Sequence, residues 1–162
     1  MYFSGDYILG RIERSIEIKA PPEKVWEMLA LDRLPKWADY PGMPVKYTSE
    51  VHTPKDKYRV GATAQGIPEK SKDEYCRYEI LESFEHKRIK YREWENSIFG
   101  RLSMLTTYTI EPVGTNTKLT CETETEKFWG IVGKFLEKVY YRRWAEKQIQ
   151  KTLEKLKNIL EK

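Results

Sequence analysis

The sequence predicts an α+β fold: a seven-stranded antiparallel sheet, two short helices after strand 1, and a long C-terminal helix packed over the sheet, enclosing a cavity. Three observations predict it. Segments with alternating apolar residues follow one another from residue 45 to residue 125 without a helical stretch between them. Strands joined that closely must pair as antiparallel neighbours. The segment APPEKVWEMLA places Pro22 in the first turn of a helix and an apolar stripe of Val25, Trp26 and Leu29 behind it. Residues 127–161 read as one helix, with Ile149, Leu153, Leu156 and Leu160 on one side. A sheet with one apolar face needs a cover, and that helix is the candidate.

The elements follow in order. Residues 1–10 read as a loose or docked terminus. Residues 12–19 alternate Ile12, Ile16 and Ile18 as a strand does. The helix around Trp26 comes next, and Trp26 should be buried between the short helices and the sheet. A short turn, LDRLPKWADYP, closes at its second proline. Strands are predicted over 45–51, 58–66, 74–81, 88–94, 101–112 and 117–125, with a turn at Gly114–Asn116.

Length and composition set the bounds. The 162 residues suit one domain, 1–162. Hydrophobic residues make up 40% of the chain, too many for a disordered one. No run of about 18 apolar residues exists, so no integral membrane segment is expected. The N-terminal residues lack a secretory signal's basic and apolar regions. Cys76 and Cys121 form neither a disulfide framework nor a CxxC pair, which points to the cytoplasm. His52 and His86 lie far apart, so no metal site, no histidine triad and no cofactor is predicted. Lys and Glu are abundant while Asn and Gln are scarce, a thermophile trend. The net charge of +4 is concentrated in the C-terminal segment, where a solvated helix face accounts for it. No nucleic-acid recognition motif accompanies it.

Several stretches together resemble the START/Bet v 1-like (SRPBCC) superfamily, in particular its polyketide cyclase/dehydrase and lipid-transport branch. They are IEIKAPPEKVWEMLA at 16–30, LPKW at 34–37, VG at 60–61, TYTIEPVGTNTKLT at 107–120 and TLEKLKNILE at 152–161. The resemblance spans residues 12–161 and implies the helix-grip fold, with an apolar cavity between sheet and long helix. Its motifs are structural, and no catalytic signature carries over.

Hairpin register sharpens the expectation. Tight turns near 85, 98 and 114 set Tyr78 opposite Tyr91, Tyr91 opposite Thr106 and Thr106 opposite Thr123, with Arg14 near Thr123. The predicted ligand-binding residues are therefore Arg14, Tyr78, Tyr91, Thr106, Tyr108 and Thr123 from the sheet. Phe135, Arg142 and Ile149 join them from the helix. Arg14 or Arg142 would meet a ligand's anionic end, although a structural pair with Glu146 stays open for the arginines. Glu93 is the one strand carboxylate nominated for acid–base work. Inward cysteines read as apolar filler.

Trp129, Leu136, Tyr140 and Trp144 form a second stripe, spaced for an interface and a homodimer through the C-terminal helix. It could equally dock residues 1–10. The predicted function is binding or transport of an apolar or amphipathic small molecule or lipid, without catalysis. Two alternatives stand beside it. One is a cyclase or dehydratase (a lyase) acting on a polyketide-like or aromatic substrate. The other is a protein-interaction module, such as a chaperone activator or a quinone-handling peripheral protein.

Overall fold

The computed structural model describes residues 11–38, 47–48, 57–68, 76–97, 100–126 and 142–162. Strand β1 (Arg11–Ile18) leads into helix α1 (Pro22–Met28) and a single 3-10 turn, η1 (Leu34–Lys36). Six further strands follow: β2 (Tyr47–Thr48), β3 (Thr63–Pro68), β4 (Cys76–Phe84), β5 (Arg88–Ser97), β6 (Gly100–Val113) and β7 (Asn116–Thr125). Helix α2 (Arg142–Leu160) ends the chain. The strands form one antiparallel sheet in the order β1-β7-β6-β5-β4-β3-β2. Six of them are six residues or longer, and β2 is a two-residue pairing with Ile67 and Pro68. The second short helix is thus one turn of 3-10 helix. The expected terminus 1–10 and the helix's first part, 127–141, lie outside the described residues. So do His52 and most of the strand expected over 45–51.

Local chemistry explains the elements. Pro21 is extended and Pro22 opens α1, where its missing N–H costs nothing. Gly114, at a φ of 62°, supplies the left-handed first position of the two-residue turn between β6 and β7. Gly61, at a φ of 83°, cuts short the strand expected over 58–66. Val60 is accordingly exposed, while Ala62 and Ala64 keep the predicted inward side.

The core lies between the sheet's inner face, α1, the η1 turn and α2. It contains Ile18, Trp26, Leu29, Trp37, Ile80, Ile89, Tyr91, Leu119, Leu153 and Leu156. Trp26 is buried as predicted, stacked on Tyr58 at 4.9 Å. Three ring donors satisfy carbonyls at the end of α1, where helical partners run out. Tyr58 donates to the Trp26 carbonyl at 3.2 Å, the Trp37 indole to that of Met28 at 2.7 Å, and Tyr91 to that of Leu29. Helix α2 lies along β1, burying Ala145, Thr152, Leu153 and Leu156. Its far end is tied down where Lys157 donates to the Glu17 carbonyl at 2.9 Å. Glu161 accepts from the Lys19 amide at 2.7 Å.

Two registers depart from expectation. Tyr91 faces Thr106 and Thr106 faces Thr123, as the turn positions imply. Tyr78, however, pairs with Glu93 rather than Tyr91. The β4–β5 turn is three residues long, with His86 in the left-handed region, and β4 carries a bulge between Ile80 and Glu82. Arg14 pairs with Cys121, and Ile12 takes the place opposite Thr123. No hairpin links β1 to β7, so no turn geometry could fix that register. Both shifts are two residues, so every side chain keeps its predicted face.

Candidate functional site

A cavity of about 70 Å³, partly open to the outside, sits between the sheet and α2. Its floor is made by Tyr78 of β4, Glu93 of β5, Met104, Thr106 and Tyr108 of β6, Cys121, Thr123 and Thr125 of β7, and Ile12 of β1. Ala145, Gln148, Ile149, Thr152 and Leu153 of α2 form the roof, and Leu34 and Ala38 close one flank. The lining is mostly carbon. The volume holds on the order of five water molecules. Strand alternation explains the floor, since every floor residue shares parity with the buried apolar positions.

Five of the nine predicted ligand-binding residues line this cavity: Tyr78, Thr106, Tyr108, Thr123 and Ile149. So does Glu93. Thr106 and Thr123 bring their hydroxyls within 3.5 Å of each other. Phe135 lies outside the described residues. Three predictions need correction, because Tyr91, Arg14 and Arg142 are not among the lining residues. The Tyr91 hydroxyl is spent on the Leu29 carbonyl, which makes it a cap for α1. Arg14 does point to the α2 side of the sheet, but its guanidinium meets Glu146 at 2.7 Å. Arg142 is exposed and bonds the same carboxylate at 3.2 Å. Both arginines are therefore held by Glu146 at the β1–α2 seam, the structural pairing that the sequence left open. Pairing there leaves the guanidiniums partly hydrated, whereas an arginine reaching into the apolar chamber would lose that water.

Gln148 and Thr152 were missed. Their spacing from Ala145, at i+3 and i+7, marks a polar flank beside the Ile149–Leu153 ridge, and this was the available signal. Of the interface stripe, only Trp144 lies among the described residues, half-buried on α2. Trp129, Leu136 and Tyr140 lie outside them. Among the described residues, no group of three His, Cys, Asp or Glu residues could hold a metal, and no helix is long and apolar enough to cross a membrane.

The cavity holds its protons tightly. Burial pushes the Cys121 thiol up to about 12, with the charge of Glu93 adding to the effect. A thiol of that kind is no nucleophile near neutrality. Burial also raises the Tyr91 and Tyr108 hydroxyls well above the usual tyrosine range. For Tyr91 the next cause is Glu93; for Tyr108 it is Cys121, then Glu93. The native state thus binds these protons more strongly than the unfolded chain. Their stabilising contribution is complete below the ordinary cysteine value of 9.0 and fades as pH climbs toward about 12. Urea midpoints should fall above about pH 9, by about 1.4 kcal/mol per pH unit for Cys121. The tyrosines add to the slope at higher pH. A midpoint unaffected by pH up to about 11 would contradict the burial of all three groups.

Comparison with known proteins agrees with this architecture. The family described as polyketide cyclase / dehydrase and lipid transport matches residues 10–161. A crystal structure of a Chromobacterium violaceum protein superposes with a TM-score of 0.66 at 20% identity, covering 94% of this chain and 98% of that one. The solution structure of the Aha1 dimer from Colwellia psychrerythraea gives a TM-score of 0.62 at 19% identity, covering 94% and 96%. A solution structure of an Arthrobacter aurescens protein gives 0.67 at 15% identity, covering 97% and 88%. No curated protein matches by sequence. At these identities the solved structures speak for the fold. The match over nearly the whole length carries the assignment: this chain belongs to the polyketide cyclase/dehydrase and lipid transport family, with an SRPBCC-type helix-grip fold.

Proposed function

We propose that the protein binds an apolar or amphipathic small molecule, or one end of a lipid, in the cavity between the sheet and α2. The observation that carries this reading is the cavity itself. It is a mostly apolar chamber with a few polar groups on its floor, the arrangement that holds and orients an amphipath. The family's description, which includes lipid transport, supports the same reading. At about 70 Å³ the chamber takes one end of such a ligand, and the rest leaves through the open side. One observation favours the family's other named chemistry. Glu93 stands on the floor with Tyr78 as its register partner, a carboxylate and a phenol facing one chamber as a lyase would need.

Nile red, a neutral dye that brightens in apolar surroundings, tests the binding reading. It should bind the protein saturably. Ile149→Phe, which fills the roof, should weaken binding at least about tenfold, a change of about 1.4 kcal/mol, while circular dichroism shows the fold retained. Unchanged affinity in that variant places the dye, and the proposed site, elsewhere.

A further inference from the structure

The cavity's polar groups are unevenly signed. Glu93 is the one carboxylate among the described lining residues, and none of those residues is Lys, Arg or His. The remaining polar groups are Tyr, Thr and Cys hydroxyls or thiol and the Gln148 amide, which are neutral and can both donate and accept. The two arginines nearest by sequence position, Arg14 and Arg142, are engaged by Glu146 and do not line the chamber. A negative field inside the cavity follows from this distribution of charge. Three floor and core groups register it independently. Tyr91, Tyr108 and Cys121 hold their protons more tightly in part because Glu93 is charged.

We infer that Glu93 selects the ligand's polar end, favouring a protonated amine and rejecting a carboxylate, so the cavity suits cationic amphipaths and not fatty acids. This deepens the binding reading and rests on it. A carboxylate accepts hydrogen bonds and offers none, so an ammonium group meets it with charge and donors together. A carboxylate-ended ligand would bring a second negative charge into a chamber whose low dielectric strengthens the repulsion. The threonine hydroxyls and Gln148 can turn to serve a neutral head, which places an alcohol between the two. The anionic-end preference expected from Arg14 and Arg142 is thereby reversed, since both guanidiniums are held outside by Glu146.

Displacement of Nile red from the full chain by decylamine, decanol and decanoate at neutral pH tests this. Decylamine should displace the dye at a concentration at least about tenfold below decanoate, with decanol between them. Glu93→Gln removes the charge at almost constant shape. It should bring the amine and the carboxylate to within about twofold of each other and leave decanol unchanged. Glu93→Asp keeps the charge and should keep the order. If Nile red binds but decanoate displaces it as well as decylamine does, or if the order survives Glu93→Gln, the head-group assignment is wrong and the binding reading stands. If Nile red does not bind the wild-type protein at all, both are overturned. Should Glu93→Gln fail to fold, the wild-type order decides.

Discussion

Replacing Trp37 by alanine is expected to lower stability by about 4 kcal/mol, within the range for deleting a large buried aromatic. Trp37 is fully buried and is the largest side chain so buried among the described residues. Its ring meets Tyr108 edge-on at 5.5 Å, and its indole N–H donates to the Met28 carbonyl at 2.7 Å. Alanine removes the ring contacts, opens a void and strands a carbonyl at the end of α1. Leu34 and Ala38, on either side of Trp37, line the ligand cavity, so the void would also loosen one flank of the site. Urea denaturation measures the loss. Trp37→Phe separates the two causes. It keeps most of the ring burial and gives up the hydrogen bond, at about 1–3 kcal/mol for the carbonyl left unpaired. A loss below about 1 kcal/mol for Trp37→Ala would mean that the η1 turn does not seat this ring in the core.

Leu153→Ala should show two opposed effects. Leu153 is fully buried, anchors α2 on the sheet and lines the cavity roof. Its truncation should lower stability by about 2–5 kcal/mol. The space it vacates adjoins the existing chamber, so the variant should admit bulkier apolar ligands. A ligand at about a hundred times its dissociation constant should restore about 2.7 kcal/mol. Leu156→Ala is the control. Leu156 is equally buried on the same ridge of α2 but does not line the cavity. It should lose comparable stability with no gain in ligand capacity. Thermal melts with and without Nile red read both effects. Equal rescue of the two variants would show that the enlarged space is not continuous with the cavity.

Much of the site was legible in the sequence because strand alternation is a strict rule. Tyr78, Glu93, Thr106, Tyr108 and Thr123 share parity with Ile80, Ile89 and Leu119, and all of them face inward. The register of the β5–β6 and β6–β7 hairpins was legible as well, because turn position fixes pairing within a hairpin. Pairing was misread where a local irregularity intervened. The extra residue between Ile80 and Glu82, with the left-handed turn at His86, moved Tyr78 two places along the floor, and no residue type at Leu81 announces a bulge.

The alternating and helical periods, read with Pro22, Gly114 and the stripe on α2, determined by themselves the order of elements, the inward face of each strand and the family to which the chain belongs. These are local properties, set by backbone geometry and by which side chains avoid water. Only the tertiary structure decided which inward-facing polar groups reach the cavity and which are spent elsewhere. Tyr91 faces inward yet caps α1, because a helix end needs acceptors for its donors and donors for its carbonyls, and Leu29 happens to end above it. Arg14 and Arg142 share the cavity's side yet close on Glu146, because a guanidinium beside a carboxylate at the helix–strand seam keeps both its partner and part of its water. That competition among partners depends on distances between elements far apart in the chain, and periodicity carries no information about them. Its outcome left Glu93 as the charge that defines the chamber.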